Sequence, residues 1–321
     1  MSLTGCRSLT DISELAKKLR ERKAKTVALQ FPEGMKRRSP AFASALRDEG
    51  FSILVSGDPC WGACDPALRL LEYADVLVHF GHSEMIFHPD IIYEPFYMDF
   101  DPTVLEKALP LLNEKKIGVV TTVQHVHMGE KIKDYLESRG IEAVLGDGGG
   151  RVRYPGQVLG CSFSAARIPG ISEVLYVGTG VFHPLGVQLA TGARVIALDP
   201  YTGEAGEVNA DRFLRRRHAL IEKARNVENF GIIVSLKAGQ NRYGLARKLE
   251  SLSDKGYLVI MDEVSPDELL NLGFLCYVNT ACPRLAYDDQ TRFPVPVITP
   301  AEYEIVCGVR SWDEYRIDEI E

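Results

Sequence analysis

Apolar residues along this chain gather in short continuous runs, and the runs recur. TVALQFPEGM from Thr26, IGVVTTVQHVH from Ile117 and GIIVSLKAGQN from Gly231 each read as a strand that empties into a polar or glycine-bearing loop. About 25 residues later come second apolar runs, FSILVS, IEAVLG and GYLVIM, each after a helix-like stretch ending in glycine at Gly50, Gly140 or Gly256. Third runs follow, ADVLVHFGHSE, SEVLYVGTGVFHP and GFLCYVNTACPR. Runs of Val, Ile and Leu without alternation are the mark of parallel strands covered on both faces.

The pattern predicts an α/β protein of three repeated small parallel-sheet units. The expected units are residues 1–110 with an N-terminal helix, 111–215, and 216–321 with a C-terminal extension. The last stretch, PAEYEIVCGVRSWDEYRIDEIE, reads as a helix or an extended arm.

Composition changes the picture only by exclusion. Hydrophobic residues make up 45% and charged residues 25% of 321, as in ordinary globular proteins. A net charge of −7 leaves no broad surface for nucleic acid. The basic runs KKLRERKAK and RFLRRRH read as solvated helix faces. No run approaches the roughly 20 apolar residues of a membrane span, and the N-terminus lacks the apolar core of a secretory signal, so no membrane partner and a cytoplasmic location are expected.

Seven cysteines, an odd number, argue against a disulfide framework. In parallel α/β units, ligands gather at the loops after the carboxyl ends of the strands. Cys64, Cys161 and Cys282 fall in such loops, one per unit. Cys276, in FLCYV, and Cys307, in EIVCGV, read as core fillers within strands. Cys6 is given no role, and Cys60 stays open as spare ligand, supporting thiol or plain loop residue. Three thiolates brought to one point can hold three irons of a [4Fe-4S] cluster and leave the fourth open. Spacings of 97 and 121 residues between the three do not establish this, and unrelated loop thiols remain an alternative.

The segments QFPEG at 30–34, GACD at 62–65, PGQVLGC at 155–161, SLKAGQN at 235–241 and NTACPRLAYDD at 279–289 resemble, in order, the signatures of the archaeal diphthamide synthase family. That resemblance implies a homodimer of three α/β domains in pseudo-three-fold arrangement around a central iron-sulfur site. Cys64, Cys161 and Cys282 would be the ligands, Cys64 preferred to Cys60 because the match falls on GACD. The implied enzyme cleaves the Cγ–S bond of S-adenosylmethionine, with one electron from a donor. It transfers a 3-amino-3-carboxypropyl radical to imidazole C2 of a histidine in translation elongation factor 2.

A sulfonium with an amino-acid tail needs a carboxylate receptor, and Arg284 is the preferred one; pairing with Asp288 or Asp289 is its alternative. Lys237, Gly239 and Gln240 in SLKAGQN are candidate cofactor contacts, with a plain helix cap as the alternative. Gly178 and Gly180 in VGTGV offer close backbone approach, without a dinucleotide fingerprint. His79, His82, His125, His127 and His183 sit at strand ends and read as loop or pocket contacts in preference to zinc ligands. A quinolinate synthase-like dehydratase and a non-catalytic partner subunit are the rival readings.

Overall fold

A computed structural model of the chain describes residues 11–320, so Cys6 lies outside the described residues. The first helix, Ile12–Glu21, shows why the local sequence folds as it does. Asp11 caps it by accepting from the backbone N–H groups of Ser13 and Glu14. Leu15, Ala16 and Leu19 share one face and are wholly buried against the first sheet, each leucine contributing about 1.5–3 kcal/mol.

That sheet contains β1 (Thr26–Gln30), β2 (Ser52–Val55), β3 (Val76–Phe80) and β4 (Ile91–Glu94). The second contains β5 (Lys116–Thr121), β6 (Glu142–Val144), β7 (Glu173–Val177), β8 (Arg194–Leu198) and β9 (Ala205–Glu207). The third contains β10 (Phe230–Ser235), β11 (Gly256–Met261), β12 (Cys276–Asn279) and β13 (Val297–Ile298). Their orders are β2-β1-β3-β4, β6-β5-β7-β8-β9 and β11-β10-β12-β13. In each, the first strand lies between the second and third, with the fourth beside the third. All pairings are parallel except β8 with β9.

The same topology three times confirms the repeat that the apolar runs predicted. Every residue of β3, β7 and β10 is buried, as expected of strands covered on both faces. Leu105 and Ala108, in the 3₁₀ turns before β5, pack into the core of the second sheet.

Three local expectations need correcting. Cys307 is not in a strand: it caps the carboxyl end of the helix Pro300–Val306, which Thr299 and Glu302 start with a reciprocal capping box. Gly256 does not end a helix but opens β11, whereas Gly50 and Gly140, at φ 94° and 78°, do terminate helical stretches. The basic run RFLRRRH lies on the helix Asp211–Ala224, yet its Arg217 is buried and paired with Glu302 of the helix Pro300–Val306. A charge run read as solvated thus hides one interior cation.

Cys276 lies in the third unit's core with Phe230, Val278 and Tyr303. The chain ends as an extended arm against its own body. Ile320 N–H donates to the Cys161 carbonyl at 2.8 Å, and Arg242 forks onto Asp318 at 2.7 and 2.8 Å.

Candidate metal centre

Each of the three loop cysteines is fixed through its own backbone carbonyl, two of them by backbone from distant parts of the chain and one by a nearby side chain. Cys64 follows β2, and its carbonyl accepts from Gly239 N–H of the third unit at 2.9 Å. A side chain at Gly239 would put its Cβ 2.5 Å from Cys64 Cβ, so only glycine permits this approach. Gln240 Nε2 then donates to Cys64 Sγ at 3.2 Å. Cys161, after β6, is tied through its carbonyl to the C-terminal arm. Cys282 precedes the short helix Pro283–Tyr287, and its carbonyl accepts from Asn279 Nδ2 at 2.8 Å.

Cys64 and Cys161 are buried and Cys282 is partly so. Burial, with the charges of Cys64 and Cys161, pushes Cys282 up to about 12. Burial does most to push Cys161 up to about 11, and Cys64 adds to it against the opposing pull of Arg151. Cys64 is raised by burial, with Gln240 pulling the other way. Burying three thiolates together is unfavourable unless a cation compensates them, and three soft donors with no carboxylate among them suit an iron-sulfur group.

A cavity of about 410 Å³ opens beside Cys282, and Trp61, Lys237, Gln240, Glu263 and Arg284 also line it. Its walls bridge the first and third units. Lys237 Nζ donates to Asp65 at 2.7 Å and Glu263 at 2.8 Å, and Trp61 Nε1 donates to the other oxygen of Glu263 at 3.0 Å. Burial disfavours the Lys237 charge, but the two carboxylates outweigh it and its pKa is raised. Arg284 packs its stem on Gly160 and lays its guanidinium over Phe182, with the centroid 5.4 Å away. It pairs with Asp288 through Nε at 2.8 Å and Nη2 at 2.7 Å.

Residues 31–316 match the family model described as "Putative diphthamide synthesis protein". The 2-(3-amino-3-carboxypropyl)histidine synthase of Pyrococcus horikoshii is 39% identical over 96% of this chain and 92% of its own. Subunit 1 of the Schizosaccharomyces pombe enzyme of that name is 31% identical over 92% of this chain and 73% of its own. The crystal structure of Dph2 from Pyrococcus horikoshii with a 4Fe-4S cluster superposes with a TM-score of 0.91 at 37% identity, covering 97% of this chain and 93% of that one. The chain belongs to the diphthamide synthesis family. Its fold is the three-unit α/β arrangement of the Pyrococcus horikoshii structure, which holds a 4Fe-4S cluster. The dehydratase reading falls away.

Other residues singled out in the sequence lie elsewhere in this family fold. Gly178, Gly180 and Asp288 line a second cavity, of about 760 Å³, which shares the segment 284–292 as a wall. Gly178 also lies against the Tyr176 hydroxyl, where a Cβ would come within 2.7 Å. His125 Nδ1 lies 2.9 Å from the Met98 carbonyl and His127 Nε2 2.8 Å from Asp99. His183 stacks on Tyr176, and burial followed by the charge of Arg284 lowers it to about 4. Burial likewise lowers His79 to about 3 and His82 to about 4. These two lie by Cys60 rather than by the three loop thiols.

Arg151 is the site residue that sequence reasoning passed over. Its guanidinium donates to the Gly239 carbonyl at 2.7 Å, its charge acts on Cys64 and Cys161, and its Nε is buried without a partner. It sits in a glycine-rich stretch that reads as loop, and only the PGQVLGC match that follows it hints that the loop returns to the site.

No helix among the described residues is long and apolar enough to cross a membrane.

Proposed function

We propose that this chain is a 2-(3-amino-3-carboxypropyl)histidine synthase, acting in the first step of diphthamide formation, with Cys64, Cys161 and Cys282 as the cluster ligands. The observation that carries the assignment is that each unit supplies one loop thiol wholly or partly withdrawn from water, in a fold that superposes at a TM-score of 0.91 on a relative's cluster-bearing structure. Cys60 is not a ligand in this reading, because its sulfur is grouped with the donor atoms of His79 and His82. When bound, the cluster supplies an open iron position and one electron to S-adenosylmethionine, whose Cγ–S bond is broken.

The chain's own side chains place the reactants. Arg284, at the mouth of the cavity beside Cys282, releases Asp288 and takes the amino-acid carboxylate of S-adenosylmethionine in a two-point hydrogen bond. Trp61, 57% exposed on the same cavity, offers its ring face to the adenine. Gln240 and Arg151 donate toward the thiolates and moderate their charge. Lys237, held between Asp65 and Glu263, keeps the first and third units closed over the pocket, while Gly239 allows their contact. Gly178, Gly180 and Asp288 line the neighbouring cavity across the segment 284–292, which would take the ligand's outer end or the incoming peptide. The protein substrate is translation elongation factor 2, which brings the reacting histidine. The working form is a cytoplasmic homodimer served by a separate electron donor.

The test is an anaerobic reaction of reconstituted, reduced protein with S-adenosylmethionine and archaeal elongation factor 2. Methylthioadenosine release and the mass of the factor's target peptide are followed for the native protein and its Cys64→Ala, Cys161→Ala, Cys282→Ala and Cys60→Ala variants. The expected result is one added aminocarboxypropyl group, lost in the first three variants and kept in the fourth. A full cluster with neither product overturns the assignment.

A further inference from the structure

A second group of metal-type donors lies in the first unit, and none of the three proposed cluster thiols belongs to it. One donor atom each from Cys60, His79 and His82 lies within 4.8 Å of the other two. Cys60 is 1% exposed and His79 is fully buried. Topology brings them together, because β1 lies between β2 and β3. Cys60 is in the loop after β2, His79 is near the end of β3 beside Gln30 in register, and His82 follows three residues later.

The hydrogen bonds around His79 decide where its lone pair points. Gln30 Nε2 donates to the Asp65 carbonyl at 2.8 Å, and Gln30 Oε1 accepts from Ala67 N–H at 3.0 Å. These two backbone partners fix the amide orientation, so its oxygen faces His79 Nδ1 at 2.8 Å. A carbonyl oxygen only accepts, so Nδ1 carries the proton and Nε2 keeps its lone pair. That lone pair faces Nδ1 of His82 at 2.9 Å, which therefore donates to it. The Gln30 amide oxygen thus takes the place behind His79 that a carboxylate or backbone carbonyl commonly takes behind a histidine metal ligand. The Cys60 sulfur accepts from the Gly62 backbone N–H, a bond that favours the thiolate.

We propose that Cys60, His79 and His82 form a mononuclear site for a divalent transition ion of zinc's class, separate from the iron-sulfur cluster. Two neutral imidazoles and one thiolate are a borderline-soft donor set, and a tetrahedral ion leaves its fourth position for water or another small ligand. The ion replaces the proton between the two rings. His82 carries its proton on Nε2 instead of Nδ1, Cys60 gives up its thiol proton, and one proton is released for each ion bound. Cys60 moves inward to reach thiolate bonding distance. Because Gln30 is held by Asp65 and Ala67, a loaded site also stiffens the loop that carries Cys64.

The test uses the full chain with Cys64→Ser, Cys161→Ser and Cys282→Ser combined, so that the cluster thiols cannot compete and the result does not depend on the proposed catalytic activity. Titration with Co²⁺ is expected to give one equivalent of visible d–d absorption with a thiolate-to-metal charge-transfer band. Zn²⁺ displaces the cobalt, with one proton released when zinc binds the free site. Adding Cys60→Ala or His82→Ala removes the charge-transfer band or the one-equivalent binding, and Gln30→Ala weakens it by about 10- to 100-fold. In parallel, metal analysis of the anaerobically prepared native protein is expected to find one zinc per chain beyond the cluster iron, lost in Cys60→Ala while the iron stays. A folded triple variant that gives no such band, or a band that survives Cys60→Ala, overturns the site. Should the triple variant not fold, native protein without extra zinc overturns it instead.

Discussion

The side-chain amide of Gln240, from the third unit, donates to Sγ of Cys64, from the first, at 3.2 Å, and both residues are buried. The bond favours negative charge on sulfur and opposes the burial that raises the Cys64 thiol. With Cys64 as the proposed cluster ligand, a reduced cluster carries more negative charge than an oxidised one, so the amide would stabilise the reduced form more. A differential of about 1 kcal/mol corresponds to roughly 40 mV for one electron. Gln240→Ala is therefore expected to shift the cluster's potential negative by that order, and Gln240→Glu by more. Potentiometry of the reconstituted protein followed by electron paramagnetic resonance measures it. Equal potentials would show that the bond is absent once Cys64 is a ligand.

Gly239 and Gly244 make a matched pair for asking what the cross-unit contact needs. A Cβ at Gly239 would lie 2.6 Å from Cys64 Cα and 2.9 Å from its carbonyl oxygen, both backbone atoms that cannot turn aside. A Cβ at Gly244, in the helix Tyr243–Glu250, meets nothing within 4 Å. Gly239→Ala is expected to cost about 1–3 kcal/mol by overpacking and to lower iron uptake on reconstitution. Gly244→Ala is expected to stabilise by about 0.5–1 kcal/mol with uptake unchanged. Chemical unfolding and iron analysis of the two variants decide. Full iron uptake in Gly239→Ala would detach the glycine from the site.

The repeat was legible because a strand buried on both faces needs few polar positions, and β3, β7 and β10 show this as apolar runs with polar residues only at or near their ends. Parallel topology places the three loop cysteines after strand ends, while their joint role as ligands came only from the family resemblance. The fourth strands were harder: β13 has only two residues, and β4 ends in Glu94, so neither leaves much of a run. Contacts between units leave no spacing at all. Asp65 and Lys237, 172 residues apart, carry no mutual signal along the chain, and Arg151 reads as part of a glycine loop. Cys307 was misplaced because EIVCGV looks extended, whereas the capping box two turns earlier starts a helix that absorbs it.

Arg217 and Glu302 form an ion pair inside the third unit, and the guanidinium also donates to the carbonyls of Ala286 at 2.6 Å and Val297 at 3.1 Å. Burial opposes the arginine's charge, but Glu302 overcomes it and the pKa is raised. Removing one partner leaves the other charged and buried, so Arg217→Met is expected to destabilise by about 3–5 kcal/mol. Replacing both, with Glu302→Leu added, should recover part of that loss. Recovery stays incomplete because Glu302 also accepts from Thr299 N–H at 2.8 Å in the capping box. Urea unfolding of the single and double variants checks this, and a single variant within about 0.5 kcal/mol of the native protein would place the pair among surface-like interactions.

His183 lies half-buried between Phe182 and Tyr176, lowered to about 4 by burial and then by Arg284. In the unfolded chain an imidazole titrates near 6.5. Between those values the unfolded state binds a proton that the folded state refuses, so stability is complete above about 6.5 and is lost as pH falls toward 4. The loss from this one group is roughly 2 kcal/mol at pH 5. His183→Phe keeps an aromatic ring against Tyr176 and removes the titration. Urea unfolding at pH 7 and pH 5 is therefore expected to show a drop in stability about 2 kcal/mol smaller in the variant than in the native protein, all other titrating groups being common to both. Identical drops would mean that His183 is protonated in the folded protein at pH 5, with its ring open to water.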